Sequence, residues 1–343
     1  MYIENKQINK YITYWLGLMF CLVVIMIIVG GLTRLTDSGL SITQWELFSG
    51  ILPPINDTQW NVYFELYKQI PEYKLQNYFM SLEEFKVIFW WEFIHRFLGK
   101  LIGIFFFFPL IYFSIKLGFN KTINLFVIFI LIFLQGFIGW YMVSSGLIDR
   151  IDVSHYRLSF HLVLAFIILS LIFWNYLKYK QINLPIQKIS NILPTIFLIL
   201  IFIQIVIGAF VSGMDAGKIY NSWPLMGLDF FPDDNLIINL FSFSAFNEPS
   251  LVQFMHRNLA YLIFILYLVV VFNVYKNKLS DFFLSINVIG FFLLLQIILG
   301  ILTLISGAQM ILASMHQICS IFLVISSIYL LYLNLNTNLQ PLD

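Results

Sequence analysis

A chain of 343 residues that is 60% hydrophobic and only 11% charged lies far from a soluble domain, which is about 45–50% apolar and about 25% charged. A formal net charge of +1 offers no electrostatic footing for a nucleic-acid partner. Two cysteines, Cys21 and Cys319, give no disulfide framework.

Eight apolar runs follow one another, at 12–33, 93–115, 123–143, 158–177, 192–213, 252–274, 282–305 and 311–333. Each is long enough to cross about 30 Å of hydrocarbon as a helix. Only helices or closed barrels satisfy a backbone in lipid, and these runs are too long and uniform for barrel strands. The fold class expected is an all-α polytopic membrane protein with eight transmembrane helices. The first run is too long for a signal-peptide core and is followed by GGLTRLTDSG rather than a small-x-small cleavage site, so it reads as the first span. Both cysteines fall inside spans and read as packing residues.

Charge sets the expected orientation. The N-terminus and the connections near 116–121, 178–188 and 276–281 carry Lys6, Lys10, Lys116, Lys121, Lys178, Lys180, Lys188, Lys276 and Lys278, against Glu4, Asp281 and Asp343. Lysine-rich short loops stay in the cytoplasm. Both termini are therefore expected on the cytoplasmic side of a bacterial inner membrane, with the long segments 34–92 and 214–251 in the periplasm. Within the first, Asp57-Thr58 can start a short helix that Pro71 stops. Ser81-Leu82-Glu83-Glu84 fits a capping box, which starts the second long helix outside the membrane. Trp90 and Trp91 then lie in the interfacial aromatic belt, with Glu92 and His95 just inside.

The sequence repeats itself. VGGLTRLTDSG (29–39) matches IGAFVSGMDAG (207–217) at an offset of 178, which pairs Gly30 with Gly208 and Asp37 with Asp215. His95-Arg96 matches His256-Arg257, and Gln135 and Gly139 match Gln296 and Gly300, both at 161. Ser159-Phe160-His161 matches Ser314-Met315-His316 at 155. A tandem duplication of a four-helix unit is expected, with halves 1–188 and 189–343 related by an axis along the membrane normal.

Four of the five histidines, His95, His161, His256 and His316, fall at the outer ends of the even-numbered spans, while His155 lies in the loop between spans 3 and 4. An ionisable residue in a span is a functional candidate. One alone reads equally well as an interfacial residue bonded to a carbonyl; four at equivalent places in two halves do not. Imidazole suits iron, copper and zinc, but a zinc site would usually add carboxylate or thiolate, and the cysteines are not placed to help. Bis-imidazole haem ligation needs one histidine from each of two facing helices and clearance for a flat macrocycle. Four residues on from each histidine, on the same helix face, stand Gly99, Ala165, Ala260 and Ser320, with Gly103 a turn below Gly99. Small residues there also serve helix packing.

Arg96 and Arg257 follow two of the histidines. They read either as snorkelling interface residues or as partners for haem propionates. Glu92 precedes His95 by three residues on one helix face, and the alignment of the halves sets Gln253 opposite it. An acid in one half alone points to one site that performs chemistry, with Glu92 as proton donor or acceptor, and one that holds an electron-transfer haem.

Over nearly its whole length the chain resembles the haem A synthases of α-proteobacteria and mitochondria. The resemblance is carried by GGLTRLTDSGLSITQWE (30–46), FKVIFWWEFIHRFLGKLIG (85–103), LQGFIGWYMVSSGL (134–147), DVSHYRLSFHL (152–162), GMDAGKIYNSWPLM (213–226), VQFMHRNLAY (252–261), LQIILGILTL (295–304) and HQ (316–317). It implies oxidation of the C8 methyl of haem O to the formyl group of haem A, by two hydroxylations and loss of water. It implies a haem b cofactor on the iron ligands His256 and His316, with Arg257 and Arg96 as cofactor-binding residues. It also implies substrate haem between His95 and His161, and Glu92 as the catalytic carboxylate. Haem O synthase is the upstream partner implied, haem-copper oxidase the consumer, and the lipid bilayer the surroundings; a homo-oligomer is left open. Gram-positive members carry cysteine pairs in their outer loops, and this chain has none there.

Two other classes compete on the residues alone. A two-haem b-type electron-transfer protein would not need Glu92 opposite Gln253. A transporter relaying protons would place ionisable groups at the bilayer midplane, where this sequence has almost none. The residues specify neither an electron acceptor nor an oxygen source.

Overall fold

Apolar runs bounded by capping residues become helices in the structure, a computed structural model that describes residues 2–44, 50, 52–190 and 192–337, without side chains for 2–5 and 149. Trp45 and Glu46, which carry part of the resemblance, and Asp343, counted with the cytoplasmic charges, lie outside the described residues. The described helices are α1 (Tyr2–Leu35), α2 (Asp57–Tyr67), α3 (Pro71–Leu75), α4 (Leu82–Leu117), α5 (Phe119–Asp149), α6 (His155–Lys180), α7 (Ile192–Gly213), α8 (Pro249–Lys276), α9 (Phe283–Ile305) and α10 (Met310–Leu335), joined in places by short 3₁₀ turns. No β-strand occurs among the described residues. Among the described residues eight helices are long and apolar enough to cross a membrane, one for each apolar run. The protein is an all-α, multi-pass membrane protein. Side chains such as Ile115 and Phe133, more than 70% exposed, face hydrocarbon rather than water.

Local chemistry sets the helix ends. Ser81 caps α4 as expected: its hydroxyl accepts from the Glu84 amide, while the Glu84 carboxylate accepts from the Ser81 amide at 2.8 Å. Asn56, one residue before Asp57, caps α2 through its side chain. Pro71 does more than stop that helix. α2 ends at Tyr67, and Pro71 opens α3 at its first turn, where its missing N–H would go unused in any case. Asp37 and Asp215 end α1 and the 3₁₀-flanked α7 alike, with φ of 49° and 50°, the left-handed region that Asp tolerates. Both are turn residues, paired with Arg34 at 2.6 Å and Lys218 at 3.2 Å.

Pro109 interrupts α4. Proline has no N–H, so the Phe105 carbonyl four residues before it has lost its helical donor. The Trp15 indole supplies one, donating to Phe105 O at 2.9 Å. In hydrocarbon that carbonyl would otherwise stay unmet.

The chain divides into two compact units, Met1–Ile172 and Phe173–Asp343. In the first, α1 packs on α4 and α4 on α5. The segment after α1 folds back as a cap over the N-terminal end of α4. Its core holds Leu40, Ile42, Trp60, Phe64, Tyr67 and Ile70 against Phe85, Ile88 and Phe89, with Trp60 edge-on to Phe89 at 4.9 Å. In the second unit α7 packs on α8 and α10, and α9 on α10.

Beneath the cap surface Glu72 is 3% exposed. It accepts from the Tyr67 hydroxyl at 2.7 Å, and Asn77 donates to that hydroxyl at 2.8 Å. Burial pushes the Glu72 carboxyl up to about 8, with Glu92, Asp152 and Asp37 adding repulsion; burial and Glu72 raise the Tyr67 phenol as well. A carboxyl that holds its proton more tightly folded than unfolded favours the fold at low pH. That contribution is lost as pH rises from the ordinary carboxylate range through about 8. The protection factors of the α2–α3 amides, with the intrinsic base-catalysed exchange rate divided out, should therefore fall over that window in the native protein and stay flat in Glu72→Gln; equal pH dependence in both would remove Glu72 as the cause.

Candidate functional site

The four histidines of the spans form two pairs, one within each unit. His95 on α4 faces His161 on α6, with ring centroids 6.3 Å apart and planes at 67°. His256 on α8 faces His316 on α10 at 6.5 Å and 70°. With metal–imidazole bonds of about 2 Å, and about 1 Å more from nitrogen to ring centre, two imidazoles on opposite sides of one metal have centroids about 6 Å apart. Each pair is thus spaced as two axial ligands of one iron. Among the described residues no group of three or more His, Cys, Asp or Glu could hold a bare metal ion.

A glycine on the preceding span seats each ring. A Cβ on Gly30 would stand 3.0 Å from His95 Nε2, one on Gly139 2.9 Å from His161 Cε1, one on Gly208 3.1 Å from His256 Cε1, and one on Gly300 3.0 Å from His316 Cε1. Real Cβ contacts at these distances force something to shift. Glycine at the four positions lets the helix backbone approach the imidazole edge, a use of the missing side chain that packing alone would not repeat four times. Of the expected small strip, a Cβ on Gly103 would meet nothing within 4 Å, and one on Gly99 would meet Met26 Cε at 3.5 Å.

Buried polar atoms without a hydrogen-bond partner gather here. They include His161 Nδ1, His256 Nδ1, Arg257 Nε and the Oε1 atoms of Gln135, Gln204, Gln253 and Gln296. Each such atom costs roughly 1–3 kcal/mol, and their concentration around the paired rings is the mark of a ligand site. The donor set, the spacing and the glycine cradles all fit haem.

The arginines tie down the loop that follows the first span of each unit. Arg96 donates to Ile42 O at 2.8 Å and Gln44 O at 3.3 Å. Arg257 donates to Tyr220 O at 3.0 Å and Ser222 O at 3.0 Å. Residues 42 and 220, and 44 and 222, are separated by the same 178 positions as Gly30 and Gly208.

Glu92 is 2% exposed. Its Oε1 accepts from Arg96 Nε at 3.0 Å and Nη2 at 2.5 Å, and its Oε2 from Ser41 Oγ and Ile42 N, both at 2.7 Å. Glu92 and Arg96 stand four residues apart on one helix face, and the structure joins them, two guanidinium nitrogens donating to the single Oε1, with two more donors from the loop on Oε2. Gln253 faces the equivalent loop with the opposite polarity, donating to Tyr220 O at 3.1 Å. Ser41 and Ile42 escaped sequence reasoning, and only the path of the loop reveals them. The glutamines left a signal, since Gln135, Gln204 and Gln296 each stand four residues before a ring-seating glycine. His155 begins α6, six residues before His161, with its ring 4.1 Å from that of Tyr156.

The COX15-CtaA family, described as cytochrome oxidase assembly protein, matches residues 13–328. Heme A synthase of Pelagibacter ubique is 51% identical over 98% of this chain and all of its own length. Heme A synthase of Rickettsia bellii is 45% identical over 92% of this chain and 96% of its own, and that of Rickettsia prowazekii 41% identical over 95% and 98%. With a family match across most of the chain and relatives aligned end to end, the chain belongs to the COX15-CtaA family, with the haem A synthases among its members.

Proposed function

We propose that this protein is a haem A synthase, an oxidoreductase that converts the C8 methyl of haem O to a formyl group through two hydroxylations and loss of water. The observation that carries the reading is the facing imidazole pair in each unit, spaced for one iron, in a chain of this family. The alternative, a two-haem electron carrier, draws no support from the relatives, and Glu92 opposite Gln253 speaks against it.

The residues take these roles. His256 and His316 hold a resident haem b, which when bound supplies electron transfer. His95 and His161 hold the substrate haem, and Glu92 beside them is the acid–base group. Arg257 spends its terminal nitrogens on loop carbonyls, while its buried Nε has no partner; a propionate carboxylate matches that donor. Arg96 already serves Glu92, so its contact with a propionate is coupled to the acid. Halves 1–188 and 189–343 are tandem copies, the first for substrate and the second for cofactor. The recurring glycine seats and arginine ties support that division. Short lysine-rich loops support cytoplasmic termini in a bacterial inner membrane, with the histidine pairs toward the periplasm. Haem O synthase would supply the substrate, cytochrome oxidase would receive the product, and a homo-oligomer is compatible with this arrangement.

Three outcomes are expected. His256→Ala or His316→Ala should strip haem b from the purified protein, read from pigment extracts and the low-spin visible spectrum; undiminished haem b would cancel the ligand assignment. Glu92→Gln should keep haem but slow conversion of haem O about 100-fold or more, as turnover at the native rate would take Glu92 out of the chemistry. A reactive tag in the 178–188 loop should label from the cytoplasm, and labelling from the periplasm would invert the orientation.

A further inference from the structure

Four odd-numbered spans each bring a glycine against a ligand imidazole, and one helical turn before that glycine the residue differs. It is Gln135 before Gly139, Gln204 before Gly208 and Gln296 before Gly300, but Met26 before Gly30. Residues four apart share a helix face, so each of these side chains is presented toward the same histidine as its glycine. The three amides use the position. Gln135 Nε2 donates to His161 O at 3.0 Å. Gln204 Nε2 donates to His256 O at 2.9 Å and lies 3.3 Å from His256 Nε2. Gln296 Nε2 lies 3.2 Å from His316 Nε2, and the Gln296 carbonyl stands 3.1 Å from His316 Nδ1. Among the described residues neither the His95 ring nor the His161 ring makes a hydrogen bond, and Met26 extends its methyl toward Gly99.

We propose that Gln135, Gln204 and Gln296 are positioning residues for the haem ligands they face, and that Met26 in the fourth place makes His95 the ligand that releases the substrate haem. This rests on the haem A synthase reading and deepens it. A histidine that binds a metal is oriented by the groups that hold its other polar atoms, and losing the partner of its second ring N–H costs about 10–100-fold in affinity; here Gln135 and Gln204 hold the histidine through its backbone carbonyl, and the Gln296 backbone carbonyl faces His316 Nδ1. A thioether donates nothing and accepts weakly. The enzyme must keep one haem and let the other go, yet both pairs have the same ring spacing and the same glycine seats. The amide one turn before the seating glycine is missing at one ligand in four, and that ligand belongs to the substrate pair. His161, pinned through its carbonyl by Gln135, stays in place. When the iron–His95 bond opens, its electron pair remains on the imidazole, so release needs neither oxidant nor reductant.

The test uses the full-length protein made together with a haem O synthase, purified with its pigments and mixed with apomyoglobin, which captures any haem that dissociates. Transfer of haem O plus haem A, and separately of haem b, is followed by pigment chromatography, with the low-spin band recorded on the protein. Met26→Gln should slow transfer of the substrate-site pigment about 10-fold or more and leave haem b retained. Gln204→Met should make haem b capturable. Met26→Leu should release at the native rate. Native-rate release from Met26→Gln, or haem b held as firmly in Gln204→Met, would overturn the proposal. Loss of substrate pigment from Met26→Leu would overturn it too, by making the thioether itself a ligand. Should the unaltered protein carry no haem O or haem A at all, the enzyme reading fails first, and that result is plain before any variant is compared.

Discussion

Hydrocarbon offers no hydrogen bond, so every polar group placed within a span must find its partner in the protein. That constraint explains where this chain puts its few polar side chains. The Trp15 indole covers the carbonyl that Pro109 orphans. Thr33 returns its hydroxyl to Val29 O. Glu92 sits in the N-terminal part of α4 with four donors around its two oxygens. Among the described residues most of the buried atoms that escape this rule lie on the paired histidines or on the glutamines and arginine beside them, which is where a polar ligand has a reason to go.

Glu92 and Gln253 show how one scaffold supports two different environments. In both units an arginine reaches the carbonyls of the loop that follows the first span. In the first unit a carboxylate completes the contact by accepting from the loop amide and neutralising the guanidinium. In the second an amide donates to the loop carbonyl instead, and the guanidinium keeps a buried N–H without a partner. A single change from acid to amide therefore moves positive charge from internal neutralisation to availability for an external anion. Ion pairs taken out of water are held only by such complete networks, which is why the loop and the acid come as one unit.

Much of the architecture was legible in the residues because its signals are local or periodic. Eight apolar runs become eight long helices, Ser81 and Glu84 form their capping box, and the four histidines of the even spans fall into two pairs. Periodicity could not reveal contacts made by irregular backbone. Ser41 and Ile42 reach Glu92 only because the chain after α1 turns back under the α2–α3 cap, and no repeat or propensity encodes that path. Pro71 misled for a related reason: the same fixed φ that ends one helix also starts another. Gly30, Gly139, Gly208 and Gly300 were visible as repeated letters, but their purpose lies across the interhelical gap, in rings that are distant in sequence.

Those glycine seats bear on how little the ligand rings tolerate change. Each imidazole takes its place from a helix backbone that passes within contact of the ring. In small zinc domains the metal supplies the folding energy. Here the packing of neighbouring spans carries part of that work, so a single methyl added at any of the four glycines presses on an iron ligand from a helix that holds none itself.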